Sequence, residues 1–470
     1  MVVGLEFMAV WFFSDIDKKL PLCENSKYRV RGSSSLNKAL TLNRAKKQES
    51  MESMGLISIN AVKPGMVLAQ DVRDRNGRLL IRQGNELSDE HLRILRIWGV
   101  VEADVEGADR EELEGASREG LAPEILERAK VLVLERFQHN DSALPAVAEL
   151  IRFCTLRKAR ELQDQPAKAA SRPEPARETA SPALAVKQLK PVDPLRLLTE
   201  DTTLGSLPIV FQKLLSVLND SRSSATDVAE VISNDTDLSA KLLRIVNSAF
   251  YGIRSKIDTI SRAVTIIGSN QLLSLAMGLS IINFFKGIPS ELVDMASFWR
   301  HSVSCGIAAR LIASFHRTPN TERFFVTGLL HDIGRLFIFK ELPDYAKAIL
   351  VAARARQSLL TPIESEILGF THQKLGGALL KHWKFPVSLE KNVRYHHEPA
   401  KAVNRNEAAI ILLADVMAHA LEHGSSGECY VPRLDAATWD CLGLPLAFLG
   451  QTAVQVDYQL DEILKFFMTE

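Results

Sequence analysis

Phe325-Val-Thr-Gly-Leu-Leu-His-Asp-Ile-Gly-Arg335 is the stretch that decides how this 470-residue chain is read. An adjacent His331–Asp332 pair sits among Leu329, Leu330, Ile333, Leu336 and Phe337. That apolar spacing predicts a helix with one side buried, and it puts both polar residues at the edge of a core. An imidazole and a carboxylate in such a place need partners, because either one unpaired costs several kcal/mol or shifts its pKa. The partner is either a metal ion or a hydrogen-bond network.

Working outward, nine of the eleven histidines fall between His301 and His423. Leu292, Ala296, Trp299, Val303, Ile307 and Leu311 form the buried stripe of a helix, and His301 projects from a different face of it, beside the small residues Ser297, Ser304 and Cys305. Thr371 is placed to cap a helix in which His372 shares the inward face of Leu375, Leu379 and Trp383. His396 and His397 close another helix, ahead of Glu398-Pro399. Asp415 shares a face with Ile411, Leu412 and Ala418, where a carboxylate demands a cation or several donors. Collected, His301, His331, Asp332, His372, His396, His397 and Asp415 form a candidate metal set. Imidazoles and carboxylates without thiolates suit Fe, Mn, Zn or Ni in a mono- or dinuclear site and argue against a structural zinc. The chemistry such a site supports is phosphate-ester hydrolysis. The other reading of each residue is a satisfied core histidine or a hydrogen-bonded network.

The rest of the chain frames this region. Composition is that of a globular protein, 46% hydrophobic and 24% charged, with 57 basic and 57 acidic residues. That balance provides no global field for nucleic acid or an anionic membrane. No apolar run reaches a membrane span, so membrane insertion is not expected. The five cysteines form no CxxC pair, which fits a reducing cytoplasm. Residues 1–54 show no sustained periodicity and read as a disordered leader or a start-site artefact, with Met51 and Met54 preceding the first patterned segment. Residues 55–106 read as a small β-rich α+β module: a strand at Val67–Val72, a hairpin turn at Asp74-Arg75-Asn76-Gly77, a helix capped by Ser88, and a strand at Val100–Val105. Residues 107–157 form a helical connector, and 158–194, rich in proline and alanine, a linker. Beyond it the pattern is helical: five helices within 204–286 free of histidine, then the histidine-bearing block at 291–423. Within 424–470, Leu442–Leu449 and Val454–Phe467 look helical and are expected to pack on the domain, the second starting near Gln451.

Specific runs then become informative together. Leu207-Pro208, Asp237-Leu-Ser-Ala-Lys-Leu-Leu-Arg-Ile-Val-Asn-Ser248, Phe298-Trp-Arg-His-Ser302, Gly328-Leu-Leu-His-Asp-Ile-Gly334, His372-Gln-Lys-Leu-Gly376, Trp383-Lys-Phe-Pro386 and His396-His-Glu-Pro399 follow in order. Residues 195–423 thereby resemble an HDOD domain, the HD-related output domain of bacterial signalling proteins. The 55–106 stretch is similar to the small module that often precedes HD-type signalling domains. The resemblance implies a mainly α fold, with a five-helix subdomain followed by an HD-like helical subdomain.

What it implies for function divides. HD-superfamily phosphohydrolases bind metal through the residues matched by His301, His331, Asp332 and Asp415, and the related HD-GYP phosphodiesterases add those matched by His372, His396 and His397. Three departures count against catalysis: no Gly-Tyr-Pro follows His397-Glu398, Ser297 stands where some HD-GYP enzymes place a glutamate, and Arg335 replaces the lysine of "HDIGK". HDOD domains are regarded as regulatory modules without demonstrated catalysis. The expectation is therefore a cytoplasmic bacterial signal-transduction protein, working through regulatory or signalling protein partners and retaining a divalent metal. Its alternative is a metal-dependent phosphohydrolase or phosphodiesterase acting on a nucleotide second messenger, in which Asp332 and Arg335 are catalytic candidates and Arg335 lies near the phosphate. Nucleic acid is not an expected partner.

Overall fold

Caps and apolar stripes set the helices of the domain's first half. In the computed structural model, α4 (Ile209–Asn219) starts after Pro208, and α5 (Ala225–Ser233) starts at a reciprocal box in which the Ser224 hydroxyl accepts from Asp227 N while the Asp227 carboxylate accepts from Ser224 N. Asp235 caps α6 (Thr236–Val246) and Thr259 caps α7 (Ile260–Ile267), each cap contributing about 1 kcal/mol. Gly268, at φ 101°, ends α7 in a backbone conformation that a side chain would strain. α8 (Ser269–Ile282) follows directly and tightens into a 3₁₀ turn at Asn283–Phe285. Leu214, Ile232, Leu242, Ala263, Leu272 and Ala276 bury one face of each helix in a shared core.

The structure describes residues 56–467 apart from 60–61, 74–78, 98–99, 101, 107–120, 165–207, 221, 249–250, 252–255, 286, 317 and 319. The leader at 1–54, the turn at Asp74–Gly77 and residues 165–194 of the linker lie outside the described residues. The chain divides into Met1–Met54 and Gly55–Glu470, and the second unit holds everything that follows.

The second half is built around α9 (Met295–Phe315). From Phe298 to Ala309 it is buried on nearly every face except at Arg300, the mark of a helix enclosed by others. Against it pack α10 (Glu322–Leu330), α16 (Arg405–Ala420) and α18 (Ala447–Phe467). α11 (Ile333–Glu341), α12 (Pro343–Arg356), α13 (Leu360–Leu368), α14 (His372–His382) and α15 (Val387–Tyr395) complete the layer, and α17 (Ala436–Leu442) precedes α18. Two glycines flanking His331–Asp332 make this packing close. A Cβ on Gly328 would lie 2.7 Å from Gly306 Cα, and one on Gly334 would lie 2.0 Å from His372 O. Backbone therefore touches backbone on both sides of the pair, which no larger residue permits.

Several expectations are corrected. His331 and Asp332 do not lie within a helix but at the break between α10 and α11. The linker does not begin at 158, because α3 (Pro145–Asp164) continues to Asp164 with Ala159 and Leu162 buried. Nor are α2 (Pro123–Arg136) and α3 a mere connector. Val133, Phe137, Val147, Leu150 and Cys154 join the domain's core, and the Asn140 amide donates to Val431 O (2.9 Å) and accepts from Leu434 N (2.9 Å). Leu442–Leu449 is not one helix: Gly443, at φ 56°, ends α17, and α18 begins at Ala447. The strand expected at Val67–Val72 reduces to bridges at Val67 and Leu68 and the short β2 (Val72–Arg73), paired with β3 (Leu79–Ile81). With β1 (Leu56–Ser58) against β4 (Glu102–Asp104) and α1 (Asp89–Ile97), this module has its own core around Leu68, Leu87 and Leu95. The chain is mainly α. No single described helix is long and apolar enough to cross a membrane, and α7 with α8 reaches that length only as a pair bent by 120°.

Candidate metal centre

The break between α10 and α11 aims the two polar side chains inward, and neighbouring helices deliver the rest. His301, His331, His372 and His396 are fully buried, Asp332 and Asp415 are 1% exposed, and His397 is half-buried. All seven residues converge.

The outer ring nitrogens set the chemistry. His331 Nδ1 lies 2.7 Å from Gly328 O and His396 Nδ1 lies 2.7 Å from Val393 O; a carbonyl oxygen only accepts, so each Nδ1 carries a proton. His372 Nδ1 likewise donates to the Glu364 carboxylate at 2.7 Å. Each Nε2 is thereby turned inward with its lone pair available, the arrangement in which an outer partner orients a metal-ligating imidazole. Their neighbours are other acceptors. His301 Nε2 and His331 Nε2 are 3.4 Å apart, as are His372 Nε2 and His396 Nε2, and His372 Nε2 is 3.1 Å from Asp332 Oδ1. Asp332 Oδ1 and Asp415 Oδ1 are buried without a hydrogen-bond partner. Acceptors gathered this way repel one another unless a proton or a metal ion lies between them.

The electrostatics carry the same message. Burial disfavours charge on His331, yet Cys305, Asp332 and Asp415 around it hold its pKa well above the ordinary histidine range. Burial would raise the two aspartates, but Arg335, His331 and His372 around Asp332, and His419, His331 and His301 around Asp415, hold both well below the usual carboxylate range. Burial together with the charges on His331 and His372 pushes His396 down to about 3, and burial beside His396 and His372 pushes His397 well below normal. A place that draws a proton to His331 and leaves His396 and His397 neutral also favours a metal cation. Among the described residues, three donor groups could hold one: His301, His331 and Asp415; His331, Asp332 and His396; and His372, His396 and His397.

Two expectations change here. Thr371 does not cap α14: its hydroxyl has no hydrogen-bond partner, and the Glu364 carboxylate accepts from His372 N at 2.8 Å instead. Arg335 is not open to a phosphate. It is 3% exposed, donates to Asp332 Oδ2 (2.9 Å) and Ser426 Oγ (2.5 Å), and lies 3.4 Å from Glu364. Sequence reasoning missed Glu364, Ser426 and His419. His419 carried a usable signal, standing four residues after Asp415 on the same helical face.

A second polar array, buried at Ser304 and His423 and partly exposed at Asp457 and Arg157, lies one turn along α9. Ser304 Oγ donates to His423 Nδ1 (2.8 Å), and His423 Nε2 donates to Asp457 Oδ1 (2.7 Å), with Arg157 of α3 pairing with the same carboxylate. The residue types are those of a hydrolytic triad, but Ser304 is wholly buried, so the array ties α3, α9 and α18 together instead of meeting a substrate.

Comparison with known proteins matches residues 204–399 to the HDOD domain family. A Treponema pallidum (strain Nichols) protein described as uncharacterized is 22% identical over 198 residues, 41% of this chain and 38% of its own, so the match spans just over a third of that relative. A crystal structure from Shewanella amazonensis SB2B, provisionally named a phosphohydrolase, is 26% identical, covering 61% of this chain and 98% of its own with a TM-score of 0.46. Another from Marinobacter aquaeolei VT8, provisionally named a signal transduction protein, is 22% identical, covering 61% and 65% with a TM-score of 0.47. Asp415 lies beyond the matched stretch, on α16, and supplies the buried centre from there. Residues 204–399 of this chain are an HDOD domain.

Proposed function

We propose that the chain is a regulatory output protein of bacterial signal transduction, acting through protein contacts, with a histidine–aspartate centre that holds a divalent metal as part of the domain's core. The observation that carries this reading is Arg335. The cation that a hydrolase would present to a phosphate is buried and committed to Asp332 and Ser426. A bound metal would supply positive charge among the inward lone pairs and carboxylate oxygens. His301, His331, Asp332 and Asp415 would hold it, with His372, His396 and His397 able to recruit a second. Glu364, Gly328 O and Val393 O orient the imidazoles that face it.

The first helical half provides the surface for a partner, together with the start of α15. Ile209 of α4 is 73% exposed and Val387 of α15 71% exposed, each two residues from the Phe211–Phe385 ring contact that joins the two halves. Apolar side chains left in water beside a core aromatic pair favour an interaction role. On this reading Asp332→Ala destabilises the domain or uncouples signalling, and the purified wild type cleaves no phosphodiester. Robust cleavage by pure protein, abolished by Asp332→Ala, overturns it.

One observation favours the second reading, a metal-dependent phosphohydrolase acting on a nucleotide or cyclic dinucleotide. His397 is only half-buried, so the group of His372, His396 and His397 lies nearer to solvent than the group at Asp415. The same cleavage assay decides between the two.

A further inference from the structure

We propose that Ser426 is a positioning residue for the metal centre. It fixes the Arg335 guanidinium, and that guanidinium sets the two carboxylates, Asp332 and Glu364, that face the two ring nitrogens of His372. The proposal rests on the reading that this centre holds metal, and it adds an outer support supplied from beyond the matched stretch 204–399.

Arg335, Asp332, His372 and Glu364 form a closed ring. Arg335 Nη1 donates to Asp332 Oδ2 at 2.9 Å, and Arg335 Nε lies 3.4 Å from Glu364 Oε1. The Glu364 carboxylate accepts from His372 Nδ1 at 2.7 Å, and His372 Nε2 lies 3.1 Å from Asp332 Oδ1, which completes the circuit. Asp332 Oδ2 is also 3.4 Å from His331 Nε2, so this carboxylate faces a histidine donor with each of its oxygens. Its orientation therefore bears on two donor groups at once, the one that contains Asp332 and the one that contains His372. A long side chain between two acids has several rotamers that satisfy its charge, and holding it in one of them costs entropy. A third, directional contact selects the rotamer, and outer contacts of this kind set the orientation and affinity of metal ligands. Ser426 Oγ supplies that contact, accepting from the same Arg335 Nη1 at 2.5 Å.

Ser426 can act as a fixed point because its segment is pinned on both sides. The residue is fully buried. Before it, Gly424 packs so closely on α9 that a Cβ there would lie 2.1 Å from Ser297 O, and Ser425 N donates to Ser297 Oγ at 2.9 Å, one turn ahead of His301. After it, the Glu428 carboxylate accepts from Leu360 N at 2.7 Å, at the start of α13, the helix that carries Glu364. The segment thus runs from the helix of His301 to the helix of Glu364, and Ser426 meets Arg335 between those two anchors.

The probe is Co(II), titrated into chelator-treated full-length protein and followed by its visible bands. Ser426→Ala is expected to weaken Co(II) binding about tenfold or more and to shift the bands, because Asp332 and His372 lose their common support. Thr259→Ala, which removes the cap of α7 in the other half of the domain, is expected to lower thermal stability and leave Co(II) affinity and bands as in wild type. Should Ser426→Ala fail to fold, Arg335→Lys carries the test from the other end, since lysine keeps the charge but cannot reach Asp332 and Ser426 with one planar fork; the same loss is expected. Wild-type affinity and bands in folded Ser426→Ala or Arg335→Lys overturn the proposal, and so does an equal loss in Thr259→Ala, which would mean that any loosening of the fold suffices. A wild type that takes up no Co(II) overturns the metal reading itself, and the proposal with it.

Discussion

Replacing Arg335 with Met keeps the side chain's length and removes its charge. In the protein Arg335 is 3% exposed and pairs with Asp332 Oδ2 at 2.9 Å, Ser426 Oγ at 2.5 Å and Glu364 Oε1 at 3.4 Å. Two buried carboxylates would lose their only nearby guanidinium among the described residues. Removing one partner of a buried pair typically costs about 3–5 kcal/mol, because the other charge remains desolvated and uncompensated. With a urea slope of about 2–3 kcal/mol/M, the midpoint of Arg335→Met should fall by roughly 1–2.5 M. Unfolding followed by fluorescence reports it, since Trp383 is fully buried in this core and Trp299 nearly so. Arg335→Lys should fall between the two, because lysine keeps the charge and loses the planar fork that reaches Asp332 and Ser426 together. An Arg335→Met protein that unfolds within about 0.5 kcal/mol of wild type would mean that the guanidinium is not needed to compensate the two carboxylates, and would return Arg335 to the phosphate-facing role.

Gly334→Ala puts a methyl 2.0 Å from His372 O, so helices α11 and α14 must separate; a loss of about 1–3 kcal/mol or more in thermal unfolding is expected, and a neutral effect would contradict the close approach. Glu364→Gln removes the charged acceptor that orients His372 and should weaken metal binding at the second donor group about 10–100-fold by titration, with little change if Glu364 only caps α14. Asp457→Asn tests pH dependence. Burial raises the Asp457 pKa, but the hydrogen bonds from His423 and Arg157 outweigh it and hold the carboxyl below its usual value. A depressed carboxylate stabilises the fold above its unfolded pKa of about 3.9 and loses that contribution as pH falls through the lower folded value. The gap between wild type and Asp457→Asn, about 1 kcal/mol given partial exposure, should therefore be full at neutral pH and close in acid. A gap that widens on acidification would be the wrong sign.

Much of the fold was legible because caps and apolar periodicity are local. Pro208 precedes α4, and Ser224, Asp235 and Thr259 cap α5, α6 and α7 in the short range where a side chain meets its own backbone. The seven inward residues could be collected because buried polar groups on apolar faces stand out against their neighbours. What escaped was non-local. Nothing in residues 123–164 says that Val133, Phe137 and Leu150 meet the core that resumes at Phe211. The break at His331–Asp332 was hidden because apolar residues continue in helical register across it; it is set by packing at Gly328 and Gly334. Glu364 escaped for a third reason. An acid on a helix carries no sign of where it points until the opposing helix supplies Nδ1 of His372.

The central claim is that this centre holds metal for structure and regulation rather than for turnover. Elemental analysis of anaerobically purified full-length protein, followed by a phosphodiester-cleavage assay on the same sample, tests it most directly. Stoichiometric transition metal and no hydrolysis of linear or cyclic dinucleotides are expected. Metal-loaded protein that turns over such a substrate, and loses that activity in Asp332→Ala, would contradict it.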